Sequence, residues 1–467
     1  MKTRYFFPVI ILFVFVISLI TIGRWAAAET VVQSDAPVSL EAGDTNATAA
    51  FSSRVTAVTT STLYLPIIYK PGDGLRDFAL PIPLFAANSA WRQTATGAGV
   101  LPGSDQQILV TYRVLRGHTA NLIPAGTEPF NWPYMVINYD DYSIPIYRAG
   151  AAQQDVTICE DYESGNLAWP HPKFNIDQLG GPVTVPAPAG EVRPSGPQGT
   201  EADGHLVIYD TGTFIAYDYF GATTQRNSQC RSWGAGYTGP QILEAGVVDF
   251  FDVRGAGANA DTWSSARAHG TPLLAGMILP EDIAAGTIAH ALALAIPGPR
   301  NLAGDPYEPL PSDYFYPAST TEGDFYNTNA SALAAGQRIR LRPTIVDDEG
   351  NLVDENLLSP ASQMVLAALR TYGAYLVDNS GGFTFYAEDI HTGNLNLTTD
   401  EVNELIGQPP GTPLPAGKTR WQVVMEALDN ELSLIPIAYG PWTDGQDPAT
   451  ATISTANFEV VAPATQP

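Results

Sequence analysis

At 467 residues the chain can hold two or three average domains, or one large β-sheet domain with a sizeable core. Its 23 Lys and Arg stand against 48 Asp and Glu, a formal net charge of −25 at pH 7. Such a field repels phosphate backbones and anionic lipid surfaces, which disfavours nucleic-acid and peripheral membrane binding. An aromatic content of 10% is not that of a disordered acidic tail.

In chain order, Lys2 and Arg4 precede an apolar run from Tyr5 to Ile22, and Ala26-Ala27-Ala28 supplies a small-residue cleavage pattern. Residues 1–28 therefore read as an export signal, or, if retained, as an anchor of near-spanning length. A secreted or cell-surface protein is expected. Residues 29–74 are Thr/Ala-rich with no sustained period, as in an extended spacer. The globular part is expected over 75–462, with a sub-boundary at the Pro/Gly-rich stretch 180–199 and a tail over 463–467. Strand-like runs recur at Gln107–Leu115, Tyr134–Ile137, His205–Tyr209, Phe214–Tyr219, Val247–Val253, Ile288–Ile296, Arg338–Leu341, Phe383–Tyr386, Trp421–Met425 and Ile435–Tyr439. Phe458–Val461 adds a last candidate strand. With 42 Gly and 38 Pro punctuating them, the expected fold is mainly β: a jelly-roll-like or concanavalin-like β-sandwich with one or two short helices. One helix is predicted from Pro280, with Glu281 and Asp282 in its first turn and Gly286 as its stop. A second is predicted over Pro360–Thr371, ended by Gly373 and followed by a strand over Tyr372–Val377. Cys159 and Cys230 are the only two cysteines, and in an exported chain the default is one disulfide, worth about 3–4 kcal/mol.

Three stretches resemble a family. They are Ala266-Arg267-x-x-Gly-x-Pro-Leu-Leu-x-Gly276-x-Ile-x-Pro-Glu-Asp282 with Gly286-x-Ile-x-His290-Ala-Leu, then His205-x-x-x-x-Asp210, then Leu369-x-x-Tyr372-Gly373-x-x-x-x-Asp378. Together, over about residues 200–392, they resemble an uncharacterised family of secreted bacterial and fungal β-sandwich proteins. The resemblance implies an extracellular location and a β-sandwich, and carbohydrate-related activity. The chain departs from the family pattern at Tyr217, where an acid is expected, with Asp218 one place on.

No Gly-x-Ser-x-Gly elbow, phosphate loop, His-Glu-x-x-His pair or dinucleotide fingerprint occurs, and the six histidines show no metal-ligand spacing. Carboxylate chemistry is what an acidic, aromatic-rich β protein most readily performs. Glycoside hydrolysis needs two carboxyls about 5–9.5 Å apart, one of raised pKa. The catalytic candidates are Asp210, Asp218 and Asp378, each closing or interrupting a strand beside aromatic rings, with His290 as proton shuttle or hydroxyl partner. Glu281 is a fourth acid, with helix capping as its plain alternative. Candidates for substrate binding are His205, Tyr219, Trp233, Trp263, Tyr316 and the arginines 338 and 340, which with Arg342 alternate on one strand face. Their plain alternatives are core packing for the rings and pairing with Asp347, Asp348 and Glu349 for the arginines. No cofactor is expected; a Ca²⁺ at the Asp347–Glu349 cluster is entertained on composition alone, since EF-hand spacing is absent. The expected function is a monomeric, secreted carbohydrate-active protein, a glycoside hydrolase acting on extracellular polysaccharide. Its alternatives are a non-catalytic glycan-binding or adhesion protein and a polysaccharide lyase.

Overall fold

A strand that is apolar on both faces must be covered from both sides. Leu292–Ile296 and Phe383–Tyr386 are buried at every position, and Ala374–Asp378 likewise. The computed structural model describes residues 80, 83–118, 122–123, 133–150, 153–158, 182–188, 192–195, 203–222, 243–245, 247–258, 266–303, 310–321, 326–441 and 446–466. All of them belong to one compact unit, Ile68–Pro467. The proposed export segment, the whole of the proposed spacer, both cysteines, Trp233 and Trp263 lie outside the described residues.

The buried runs form the middle of a six-stranded sheet. Its strands are β1 (Met135–Asn138), β9 (Leu292–Ile296), β10 (Arg338–Leu341), β11 (Ala374–Asn379), β12 (Phe383–Tyr386) and β13 (Phe458–Val461). They lie in the order β13-β10-β11-β9-β12-β1, with β9/β11 and β12/β1 parallel and the other neighbours antiparallel. A second sheet runs β2 (Ile146–Ala149), β5 (Leu206–Asp210), β6 (Ile215–Phe220), β8 (Val247–Asp252), with β2/β5 parallel. A third, of three strands, places β3 (Gln153–Ile158) between β4 (Pro182–Pro186) and β7 (Glu244–Ala245). The chain is thus mainly β, with several sheets and few helices.

Alternation sorts the side chains into three cores. Leu292, Leu294 and Ile296 of β9, Leu376 of β11 and Phe383 and Phe385 of β12 share one core with the helices α1 (Ser104–Leu115), α3 (Pro360–Thr371), α4 (Thr399–Leu405) and α5 (Arg420–Leu432). The intervening Ala293, Ala295, Tyr375, Val377 and Tyr386 face the other way. They pack with Ile146, Val207, Tyr209 and Ala216 of the second sheet. The opposite face of that sheet, Leu206, Ile208, Tyr219 and Val248, packs on Val156, Val185 and Ala245 of the third. The layers therefore run helices, central sheet, second sheet, third sheet.

Several expectations hold closely. Pro360–Thr371 is helical, with the Ser359 side chain accepting from Ser362 N, and Gly373 follows at φ +74°. A Cβ there would stand 2.3 Å from the Ile339 carbonyl oxygen, so only glycine fits. Pro280 opens α2 (Pro280–Ala284), and Gly286 at φ +72° follows its end. Others are corrected. Five α-helices occur among the described residues, not one or two. Gln107–Leu115 is not a strand but most of α1, whose Ile108, Tyr112 and Leu115 recur at helical spacing and fill the helix-side core. Trp421–Met425 belongs to α5, started by the Thr419 side chain accepting from Gln422 N. Apolar β-branched runs misread in both cases, because a buried helix segment and a buried strand share that composition. The strand expected from Ile288 begins only at Leu292, which leaves His290 before it, and Ile435–Tyr439 reduces to the two-residue strand Ala438–Tyr439. The sheets are mixed rather than wholly antiparallel. Among the described residues no helix is long and apolar enough to cross a membrane.

Candidate active site between the two large sheets

Regular alternation would point Asp378 at the helices. The pairing of β9 with β11 instead slips between Leu294 and Ala295: Leu294 faces Leu376, but Ala295 faces Asp378. This bulge adds one residue, Val377, and turns the Asp378 carboxyl into the space between the central and second sheets. There it meets three groups. The Tyr386 hydroxyl donates to Asp378 Oδ2 at 3.4 Å, and the Asn379 amide donates to Oδ1 at 3.0 Å. Arg267 Nε stands 4.0 Å from Oδ2.

Arg267 is fully buried, and its position explains the family-like motif. Its guanidinium donates to the carbonyls of Pro272, Leu273 and Ala275 at 3.0–3.1 Å, so the loop after it wraps around its own arginine. Gly276 ends that loop at φ +75°, and a Cβ there would lie 2.4 Å from Ala293 N; glycine is what lets the loop touch β9. The Leu273 amide donates to Asp218 Oδ2 at 2.6 Å. Asp218 itself is the register partner of Asp249 across β6 and β8, and both side chains are fully buried on the face towards the central sheet. Arg267, held from 4.9 Å over the Tyr386 ring, therefore joins Asp218 to Asp378. Burial lowers its pKa from the usual guanidinium value.

His205 and Asp203 act on Asp378 through charge rather than contact. His205 Nε2 lies 2.9 Å from the Ala266 carbonyl and Nδ1 3.9 Å from Asp203 Oδ2. Burial pushes the Asp378 carboxyl up to about 6, against the opposing charges of His205 and Arg267, while Asp203 adds to the rise. Burial also drives the Tyr386 hydroxyl well above its ordinary value, and drives His269, whose ring faces the Leu376 carbonyl, down to about 3. A carboxyl near 6, 11% exposed and held by a phenol, can donate or accept a proton close to neutral pH.

The remaining candidates are placed elsewhere. Asp210 organises the turn after β5, accepting from Gly212 N at 2.9 Å and Thr213 Oγ1 at 2.6 Å. His290 spends both ring nitrogens on oxygen acceptors, Asp282 Oδ2 at 3.1 Å and the Ala291 carbonyl at 2.9 Å, tying α2 to β9. Burial opposes the charged ring, but Asp282 outweighs it and raises the pKa. Tyr219 is wholly buried in the core between the second and third sheets, on the opposite face of β6 from Asp218. Tyr316 packs half-buried against the intersheet core. Arg338 donates to the carbonyls of Gln93, Thr94 and Tyr372 beneath the Tyr375 ring. Arg340 pairs with Glu459, and Arg342 with Asp105 and Glu459, not with the 347–349 acids. Asp347 caps its own turn by accepting from Glu349 N and Asn351 N. Among the described residues no group of three or more His, Cys, Asp or Glu is placed to hold a metal ion.

Two polar centres escaped the sequence reading. Arg148 of β2 holds Glu388 and Glu281 at 2.8 and 2.9 Å, all three nearly buried. Burial alone would lower the arginine, but Glu281 and then Glu388 outweigh it and raise its pKa; burial raises Glu388. Glu281 thus serves an ion pair besides its helix turn. Nearby in sequence, Asp389 accepts from Ser143 Oγ at 2.6 Å and from His391 Nδ1 at 2.7 Å. The acid stands between serine and histidine, so this is not a nucleophile–base relay, which needs the ring against the hydroxyl. Of the missed residues, Arg267 lay inside the quoted motif, and Asp249 interrupts an apolar run at an inward-facing parity; both signals were readable. Glu388 and Asp389 follow a strand in the manner of any turn acids and give none.

Comparison with known proteins returned no match among protein-family models, curated proteins or solved structures.

Proposed function

We propose that the chain is an exported glycoside hydrolase acting on extracellular polysaccharide, with Asp378 as its proton donor and Asp203 as the accessible second carboxylate. The observation that carries the reading is the state of Asp378: a bulge-directed carboxyl raised to about 6, partly open to solvent and held by Tyr386. A general acid for glycosidic oxygen needs a carboxyl that keeps its proton near neutral pH, and burial supplies that here. Asp203, with a half-exposed side chain, is reachable by substrate or water. Asp218 and Asp249 are closed off, and Asp218 acts on Arg267 through charge and holds its loop by the Leu273 amide. The reading requires two facing sheets, as in a β-sandwich. It does not require jelly-roll or concanavalin wiring, whose neighbouring strands would be antiparallel. Export rests on the Lys2–Ala28 pattern, and a monomer is assumed.

Reducing-sugar release across a panel of neutral and acidic polysaccharides tests it. Wild-type protein should release sugar from at least one, and Asp378→Asn should lower kcat by roughly 10²–10⁴-fold. Binding without release by the wild-type chain would end the hydrolase reading. A non-catalytic glycan-binding role is favoured by one observation, the closure of Asp218, Asp249 and Arg267 from solvent. In that case Asp378→Asn binds as the wild type does. The lyase alternative would need an arginine row open to a uronate, and each arginine of the row is engaged internally.

A further inference from the structure

We propose that Arg193 and His391, with Tyr142 of the adjoining loop, form a glycan subsite that takes a vicinal diol of a sugar. This rests on the polysaccharide part of the reading above and not on hydrolysis, because Asp378 takes no part in it.

Two surface loops meet here. The chain after β1 and the chain after β12 run side by side, with Ile390 N donating to the Tyr139 carbonyl at 3.0 Å and Asp389 N to the Ile144 carbonyl at 3.2 Å. Ser143 Oγ fastens them, within reach of both Asp389 Oδ2, at 2.6 Å, and the Asp140 carbonyl. Asp389 is buried, and its Oδ1 accepts from His391 Nδ1 and from the His391 amide, both at 2.7 Å. The imidazole is therefore held in one orientation while 44% exposed. Arg193 Nη1 lies 3.1 Å from its other nitrogen, Nε2. A guanidinium carries only donors, so Nε2 holds a lone pair and Nδ1 the hydrogen. The backbone of Arg193 is fixed as firmly. Its N–H donates to the Tyr147 hydroxyl at 2.7 Å, and that hydroxyl donates to its carbonyl at 2.9 Å.

A ring acceptor and a guanidinium donor side by side at the surface complement a hydroxyl, which both accepts and donates. Charge favours a neutral sugar over an anion, since Asp389 and Asp140 act on the same ring and the chain carries a net charge of −25. Two neighbouring N–H groups of the guanidinium span two adjacent sugar oxygens, and one of these hydroxyls passes its own hydrogen to Nε2. The contact between Arg193 and His391 is thereby exchanged for contacts with the sugar. Tyr142, next to Ser143 in the same loop, is 44% exposed and offers a ring on which a sugar face stacks. A half-exposed pair adds little to stability, so the double support beneath this one serves orientation.

Affinity gel electrophoresis tests the subsite in an Asp378→Asn background, which keeps the polymer intact. The probes are amylose, xylan and mannan, whose internal sugars carry a vicinal diol, and laminarin, whose internal sugars carry none. At least one of the first three should retard the chain, and periodate, which cleaves vicinal diols, should abolish the effect. Arg193→Ala, His391→Ala and Tyr142→Ala should each weaken binding by roughly 3–10-fold. His391→Gln, whose side-chain oxygen accepts a hydrogen bond, should keep most of the affinity. With the histidine in place, binding should weaken as pH falls through the folded value of the ring, which Asp389 holds above the ordinary one, because Nε2 then gains a hydrogen facing Arg193. In His391→Gln this dependence should vanish. Each altered side chain reaches the surface, and the Arg193 and His391 variants carry the test separately should either not fold. Equal retardation by laminarin, unaltered binding in the folded variants, or no retardation by any polymer would overturn the subsite. Diol-dependent binding by a wild-type chain that releases no sugar sinks the hydrolysis reading alone. Sugar release by the wild type with unaltered binding in the variants sinks the subsite alone.

Discussion

The two faces of the central sheet are built from the same strands and differ in kind. Towards the helices, Leu292, Leu294, Leu376, Phe383 and Phe385 meet Val365, Trp421 and Leu428, with ring pairs such as Phe383–Phe458 at 5.1 Å. Towards the second sheet, the same strands present Ala293 and Ala295, and the space so left takes the Arg267 loop and two sets of buried charges. Leucines and phenylalanines on one face provide cohesion; on the other, the two alanines of β9 leave room beside Tyr375 and Tyr386 for polar groups that must be paired to be tolerated. Stability and chemistry are thus divided between the two faces, by strand parity and, at Asp378, by the bulge that breaks it, and the division can be attacked from either face.

The largest effect is expected on the polar face. Arg148→Met leaves Glu281 and Glu388 buried without their countercharge and should cost about 3–5 kcal/mol, measured by urea unfolding. Adding Glu281→Gln and Glu388→Gln should recover much of the loss, because the penalty lies in the orphaned acids. No recovery would mean that Arg148 acts through packing.

On the helix face, Leu294→Ala removes a fully buried side chain and should cost about 2–4 kcal/mol. Its signature is the absence of pH dependence: the difference from wild type should be the same at pH values on either side of the Asp378 midpoint. A pH-dependent cost would show that the faces are coupled.

Asp378→Asn should do the opposite of the other two and stabilise the fold near neutral pH. The folded carboxyl titrates at about 6 against an ordinary value of 3.8, so the native state holds the proton more tightly than the unfolded chain. Stability is then lost as pH rises from about 4 through 6, by roughly 2–3 kcal/mol in all. The amide removes that loss, so the fall in its unfolding free energy across the interval should be smaller than that of the wild type by this amount. Gained stability with lost sugar release would be the pattern of a group kept for function.

How much of this could be read in advance follows the same division. Helix punctuation was legible where proline and glycine enforce it, at Pro280, Gly286, Pro360 and Gly373, since those residues act through backbone geometry alone. The strand at Phe383–Tyr386 was legible for the same local reason. α1 and α5 were not, because Gln107–Leu115 and Trp421–Met425 are apolar enough to suit either period, and only docking on the central sheet decides between them. Asp378 and Asp218 were found from strand context. Their meeting at Arg267 depends on a one-residue slip in the pairing of β9 with β11, which no local pattern encodes. His290 and Asp210 offered the same local signal as true site residues and are spent on a helix tie and a turn.

The smallest effect is expected at His391, where the rule of paired burial weakens at the surface. The hydrogen bond that the ring donates to Asp389 raises its pKa, and the Asp389 charge adds to it. A raised histidine contributes stability that is complete below its ordinary value of about 6.5 and is lost as pH rises through its folded value. The ring is 44% exposed, so water screens the pair and the contribution should stay below about 1 kcal/mol. His391→Gln should therefore melt with less variation than wild type between weakly acidic and alkaline buffer, while matching it at the alkaline end. A melting difference that grows with pH would reverse the assigned sign. A difference as large as that of Arg148→Met would show that Asp389 and Ser143 make this corner as tightly interlocked as the intersheet space.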